Sequence, residues 1–100
     1  MYEEERVGDR LVLKFTKDLV ASEAKKLKTD LLAMIERGEH ALTIDFSRVQ
    51  AIDSSGLGVL IATQNTLATY QNRLQLTNVS AHIKNMLKIM RLDKHFEISS

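Results

Sequence analysis

The sequence predicts an α/β domain with a mixed, mostly parallel β-sheet of about four to five strands and helices packed mainly on one face. Some segments have alternating apolar and polar residues, as in strands, and others have apolar residues every three or four positions, as in helices. The two kinds of segment follow one another along the chain. The 100 residues contain no proline and no glycine-serine stretch that would act as a linker. We therefore expect a single domain over residues 1–100.

The first part of the chain is predicted to form a hairpin followed by a helix. The stretch RLVLKF, residues 10–15, has the alternation of a half-buried strand. A turn at Gly8 would pair it with residues 1–7. Apolar residues then recur along one face from Val20, which predicts a helix that ends near Gly38.

The middle of the chain is predicted to form a central strand, a second helix and another strand. Residues 41–47 are rich in strand formers, and we expect the extended segment to end at Ile52. Helical spacing then indicates a helix over residues 55–72. The stretch RLQLTN, residues 73–78, has the pattern of a strand.

The last part is predicted to form a third helix from about Ser80 and a last strand over residues 95–98. The apolar positions that mark this helix are Ile83, Met86, Leu87 and Met90, and both methionines are expected in the core. Basic residues lie on or just beyond it: Lys84, Lys88, Arg91 and Lys94. They form either a solvated face or a docking surface for an acidic partner.

Composition argues against several function classes. Fourteen Lys and Arg against thirteen Asp and Glu give a net charge of +1, so no global field would attract nucleic acid. Cysteine is absent, which excludes disulfides and thiolate nucleophiles. The acidic start MYEEERVGDR differs from a signal peptide, and no apolar run is long enough to span a membrane. We expect a cytoplasmic protein without membrane insertion.

The stretch AIDSSGLGVL, residues 51–60, is the strongest candidate for a functional site. At the start of the second helix, Asp53 or Ser54 would cap free N–H groups, and a structural cap alone is one interpretation. A cap needs only one side chain, whereas two hydroxyls follow the carboxylate. Gly56 and Gly58 also lower helix stability by up to ~1 kcal/mol each relative to alanine. They would allow close approach by the sheet, another chain or an anion, and a helix start favours negative charge.

Enzymatic interpretations of this stretch have little support. The glycines do not flank either serine as in the nucleophile elbow of hydrolases, and no dinucleotide or P-loop pattern is present. The histidines, His40, His82 and His95, lack metal-binding spacing. A hydrolase would need His40 or His95 as a base for Ser54. We predict neither a metal nor a cofactor. Asp45 is either a supporting carboxylate near the motif or the cap of a turn with Ser47.

The stretch LTIDFSRVQAIDSSGLGVLI, residues 42–61, resembles the signature of the STAS domain, found in bacterial anti-sigma factor antagonists and in tails of sulphate transporters. The resemblance implies a partner switch. The unphosphorylated antagonist binds an anti-sigma factor that is also a serine kinase with a histidine-kinase-like ATPase fold. Phosphorylation breaks the complex and a PP2C-type phosphatase restores it. The implied phosphoacceptor is Ser54, with Ser55 as the fallback; the implied partner-binding residues are Asp53, Ser54, Ser55, Gly56, Leu57 and Gly58, with Asp45 as support.

Two departures from the family pattern stand out. Family members often have Gly-X-Leu-Asp before the first helix, where this chain has Lys17-Asp18-Leu19-Val20, and the missing carboxylate would alter kinase recognition. The chain stops at Ser100, so a closing helix would be short or missing, and a partner or a weak homodimer would cover the apolar surface. A constitutive STAS subunit, such as those of lipid-transport ATPases, is the alternative within the fold.

Overall fold

The computed structural model describes residues 1–99, and their order of strands and helices agrees with the predicted alternation. The elements are β1 (Tyr2–Val7), β2 (Arg10–Phe15), α1 (Ala21–Glu36), β3 (Leu42–Asp45), α2 (Ser54–Ala68), β4 (Gln75–Thr77), α3 (Ala81–Ile89) and β5 (Glu97–Ile98). Within these residues, no helix is both long enough and apolar enough to cross a bilayer.

The strands lie side by side in chain order, β1-β2-β3-β4-β5. β1 and β2 form the predicted antiparallel hairpin, and Gly8 adopts the left-handed conformation of its turn with a φ of 63°. The later neighbours are parallel, with Leu13 opposite Ile44 and Ile44 opposite Leu76. Parallel neighbours require a crossover, which α1, α2 and α3 provide in turn. The carboxyl ends of β2, β3 and β4 therefore meet at one edge of the sheet.

The two faces of the sheet have different environments, as the prediction of helices mainly on one face requires. One face carries apolar side chains that are at most 3% exposed and belong to the core: Leu11, Leu13, Phe15, Leu42, Ile44 and Leu76. The other face is mostly polar, with Val12 as an apolar exception on β2. On it, Arg10 donates a hydrogen bond to Thr43 Oγ1 at 3.1 Å, and Thr43 donates to Gln75 Oε1 at 2.7 Å. This row satisfies the buried Thr43 hydroxyl without a covering helix.

The prediction that the central strand continues to Ile52 is wrong. β3 ends at Asp45, whose carboxylate accepts the Ser47 N–H at 2.8 Å and turns the chain. The chain turns again where Val49 N–H donates to the Phe46 carbonyl. Ile52 then forms only an isolated parallel bridge with Leu19. The motif therefore follows a link that returns to the sheet edge, and α2 begins at Ser54 rather than Ser55.

The prediction that both methionines of the third helix lie in the core is wrong for Met90. α3 ends at Ile89, and Arg91 takes a left-handed conformation with a φ of 59°. Met90 is consequently 50% exposed, and the preceding Ile89 is 73% exposed. Met86 is partly buried against the core, as expected.

Candidate functional site

The predicted motif lies where the links before α1 and α2 run side by side at the carboxyl edge of the sheet. Leu19, in the first link, donates its N–H to the carbonyl oxygen of Ala51 at 3.1 Å. Asp53, in the second link, donates its N–H to the carbonyl oxygen of Leu19 at 3.2 Å. These bonds fix the starts of the two helices relative to each other.

Asp53 caps both helices with one carboxylate. Its Oδ1 accepts the N–H of Gly56 at 2.9 Å, the side-chain cap predicted for α2. Its Oδ2 accepts the N–H of Ala21, the first residue of α1, also at 2.9 Å. Val20, the N-cap of α1, makes no side-chain cap hydrogen bond. Asp53 therefore supplies to α1 the acceptor that Val20 cannot provide.

The hydrogen bonds to Asp53 stabilise its ionised form. The backbone N–H of Gly56 lowers the pKa of the carboxyl most, the smaller effect of burial opposes it, and the N–H of Ala21 lowers it further, so the net pKa lies below the ordinary value. Two helix starts, with their partial positive charge, act in the same direction. At neutral pH the motif thus carries a fixed negative charge beside Ser54.

Asp18 makes the reciprocal connection between the two links. Its Oδ1 accepts the N–H of Gln50 at 2.8 Å and the N–H of Ala51 at 3.2 Å. Asp18 precedes α1 and holds the link before α2, whereas Asp53 precedes α2 and holds the start of α1. The two carboxylates therefore connect the helix starts in both directions.

Gly56 is required by a close approach within the chain. A Cβ at this position would overlap the carbonyl oxygen of Leu19 and would lie 2.7 Å from Leu19 Cγ. The close approach at this glycine is made by the protein's own first link, which was not among the expected approaches by the sheet, another chain or an anion. Gly56 is buried, and Leu57 is only 5% exposed in the core. The predicted partner contact of these two residues stays a prediction.

The outer side of the helix start has the opposite character. Ser54 and Ser55 are exposed, and within residues 1–99 neither hydroxyl forms a hydrogen bond. Gly58 is exposed too, and a Cβ there would have no atom within 4 Å. Ser55 and Gly58 border a groove of about 410 Å³ between α1 and α2, whose other wall includes Lys25 and Lys28. We call this feature the lysine groove.

Asp45 forms the turn that was one of its two predicted roles. Besides the Ser47 N–H, its Oδ1 accepts a hydrogen bond from the side chain of Asn78, which follows β4, at 3.1 Å. Burial raises the pKa of Asp45, but the hydrogen bonds from Ser47 and Asn78 outweigh this effect and keep the pKa below its ordinary value. Asp45 thus connects the links that follow β3 and β4.

The histidines considered as bases for Ser54 are engaged elsewhere. His40 stacks on Tyr70 with 3.7 Å between ring centroids, and its Nε2 lies 3.1 Å from the carbonyl oxygen of Ile35. His95 packs edge-on against Phe96. Within the described residues, no histidine forms a hydrogen bond with Ser54 or Ser55. The same residues contain no acidic and histidine cluster suited to a metal ion.

Sequence reasoning missed two features of this site. Asp18 was read only as part of a departure from the family pattern, although an aspartate just before a predicted helix is a typical sign of a capping side chain. Lys25 and Lys28 lie on α1 opposite the apolar positions that predicted the helix. Their spacing alone could not reveal that this face borders Ser55, since that depends on how α1 and α2 pack.

Comparisons with known proteins found relatives in sequence and in fold. The chain is 28% identical over 69 residues to BtrV of Bordetella bronchiseptica, which is named as an anti-sigma factor antagonist; the match covers 69% of this chain and 60% of the relative. A crystal structure from Thermotoga maritima, also named as an anti-sigma factor antagonist, has a TM-score of 0.94 at 21% identity, and the match covers 99% of this chain and 86% of that one. SpoIIAA of Bacillus, solved in its phosphorylated form, has a TM-score of 0.78 at 19% identity, covering 100% and 92%.

The structural matches show a shared fold, and the match of the sequence to a protein-family model shows the family. The family model described as "Mlab, STAS domain" matches residues 3–98, which is nearly the whole chain. The match includes the two links, Asp53 and the exposed serines, so it covers the complete candidate site. The chain belongs to the STAS domain family.

Proposed function

We propose that this protein is a phosphorylation-controlled binding protein of the anti-sigma factor antagonist type. In its unphosphorylated form it binds a protein partner through the exposed side of the α2 start. Phosphorylation of Ser54 breaks that complex. The proposed partner is an anti-sigma factor that is also a serine kinase with a histidine-kinase-like ATPase fold, and a PP2C-type phosphatase reverses the modification.

The observation that carries the proposal is the state of the Ser54 side chain. Ser54 is the first residue of α2, it is exposed, and within residues 1–99 its hydroxyl forms no hydrogen bond. Ser80, the N-cap of α3, differs because its Oγ accepts the N–H of Ile83 at 3.2 Å. A kinase could therefore modify Ser54 without removing a helix cap, because Asp53 already provides it.

The charge beside Ser54 explains how a phosphate would act. A phosphoryl group adds about −1.5 to −2 charge at neutral pH, next to the ionised Asp53 carboxylate. A partner that fits the neutral serine then meets added negative charge and added volume at one point. A hundredfold loss of affinity corresponds to about 2.8 kcal/mol, a size that like-charge repulsion at a close interface can reach. The helix does not need to unfold.

Phosphorylation is tested first by intact-protein mass spectrometry with site mapping, on protein purified from its native cells with phosphatase inhibitors present. We expect an added mass of about 80 Da, one phosphoryl group, on Ser54. Ser55 is the fallback site, and Ser80 serves as the internal control because its hydroxyl caps α3. An unmodified protein under growth, starvation and stress would contradict the switch and favour a constitutive STAS subunit.

The effect on binding is tested with the partner that co-purifies with the protein, after it has been purified separately. We expect Ser54→Asp to weaken the complex by about a hundredfold and Ser54→Ala to preserve it. Ser80→Asp is the matched control, since it adds the same charge at another helix start. Equal weakening by Ser54→Asp and Ser80→Asp would show a general charge effect and would overturn the assignment to Ser54.

A further inference from the structure

The end of α3 presents apolar side chains that the core does not use. Ile89 is 73% exposed and Met90 is 50% exposed, and they are adjacent in the chain. The residues of α3 that pack on the core are Ile83 at 1% and Leu87 at 0% exposure; Met90 continues their helical spacing but lies just past the end of the helix, and Ile89 lies on another face. Single exposed apolar residues are common, but two neighbours at a helix end form a local apolar projection.

Basic side chains surround this projection. Residues 81–95 contain four Lys and Arg and one Asp, a net charge of +3, whereas the whole chain has a net charge of +1. Lys88, Arg91 and Lys94 are exposed and form no ion pair with any residue in 1–99. The rest of the chain is therefore net negative, so a field from an anionic surface would attract this end of the molecule.

The turn after α3 holds the projection in place. Leu92 N–H donates to the carbonyl oxygen of Leu87 at 2.8 Å. The Arg73 guanidinium donates to the carbonyl oxygens of Lys94 at 2.6 Å and Phe96 at 3.0 Å. The exposed side chains are thus displayed by a fixed turn, which lowers the entropy cost of binding.

We propose that this surface, formed by Lys88, Ile89, Met90, Arg91 and Lys94, binds anionic lipid headgroups and places the protein on a membrane surface. Ile89 and Met90 enter the boundary between headgroups and acyl chains, and the cations contact lipid phosphates. We call it the α3-end surface.

Its shape favours a lipid surface over an acidic protein. Residues that dominate protein interfaces are mostly aromatic or Arg side chains set in well-packed pockets. Here the apolar residues project outward, and three of the four residues that line the recess on α3, Ala81, Lys84, Asn85 and Lys88, have polar or basic side chains. A bilayer has no fixed pockets, so two projecting apolar side chains flanked by basic residues can enter it without a complementary site.

The location keeps this surface independent of the phosphorylation site. Ser54 starts α2 at the carboxyl edge of the sheet, whereas the end of α3 leads into the amino end of the parallel strand β5. The α3-end surface therefore lies at the opposite end of the sheet. A lipid surface and a protein partner at Ser54 could be bound together.

Sedimentation with vesicles tests the proposal. Vesicles of phosphatidylcholine mixed equally with phosphatidylglycerol are compared with vesicles of phosphatidylcholine alone. We expect the full chain to sediment only with the anionic vesicles, less so as salt is raised. Lys88→Gln with Lys94→Gln should lower the partition coefficient about thirtyfold. Ile89→Asn should also lower it.

Matched variants locate the effect. Lys25→Gln with Lys28→Gln removes the same charge from exposed lysines of α1 that form no ion pair within residues 1–99, and Val7→Asn replaces an apolar residue of β1 that is 56% exposed. Circular dichroism checks that every variant is folded. If the Lys25/Lys28 variant loses as much vesicle binding as the Lys88/Lys94 variant, binding depends only on net charge, and the proposal is overturned. A protein that stays in the supernatant with both vesicles also overturns it, and would favour an acidic protein as the ligand.

Discussion

The inner and outer sides of the α2 start have opposite properties although their residues alternate in one short stretch. On the inner side, Gly56 and Leu57 are buried, and Asp53 joins two helix starts. On the outer side, Ser54 and Ser55 are exposed with hydroxyls that form no hydrogen bond among residues 1–99. One segment thus has residues for stability and residues available to a partner. Substitutions on the two sides should separate these roles.

The largest effect is expected from Gly56→Ala. The added methyl group would overlap the backbone carbonyl oxygen of Leu19, which is held by the N–H of Asp53 and cannot simply rotate away. We expect the free energy of unfolding to fall by about 3 kcal/mol or more. Urea denaturation measures it. A loss below about 1 kcal/mol would mean that the two links can separate at little cost.

Asp53→Ala should have the next largest effect, because it removes the acceptor of two helices at once. We expect a lower urea midpoint than in the wild type and faster hydrogen exchange at the amides of both Gly56 and Ala21. Asp53→Asn keeps one side-chain oxygen, so its urea midpoint should lie between those of the wild type and Asp53→Ala. Faster exchange at Gly56 alone would contradict the double cap.

The contribution of Asp53 should disappear in acid. Its pKa is lowered in the folded protein, so the stability it adds is fully present above its unfolded value near 3.8 and is lost as pH falls through the folded pKa. The difference in urea midpoint between wild type and Asp53→Asn should therefore shrink as pH falls below about 4. Because Asp45 also has a lowered pKa and is unchanged in both proteins, its titration cancels in the comparison.

The same contrast explains how far the sequence could predict the molecule. Periodicity predicted the helices, the hairpin and the parallel strands, because the core face of each element repeats along its own sequence. The cap of α2 by Asp53 was equally local. By contrast, the contact of Asp53 with Ala21 and that of Asp18 with Gln50 each join residues 32 positions apart. A single sequence carries no signal for such pairs.

The errors have the same origin. Strand propensity continued to Ile52, but the side chain of Asp45 turned the chain after β3. Helical spacing placed Met90 in the core, but α3 ended one residue earlier, and the exposed position is a consequence of that ending. The reason for Gly56 was left open among several close approaches because Leu19 is distant in sequence. Local rules therefore gave the elements, and the contacts between the links required the fold.

The smallest effect, and one of opposite sign, is expected from Gly58→Ala. A Cβ at Gly58 meets no atom within 4 Å, so alanine should stabilise α2 by up to about 1 kcal/mol in the free protein. Urea denaturation beside Gly56→Ala measures the contrast between the two glycines. The methyl group would also narrow the lysine groove, so a more stable variant that binds the partner more weakly would show that Gly58 keeps this groove open for a partner. A variant that gains stability and binds equally well would limit the interface to the serines.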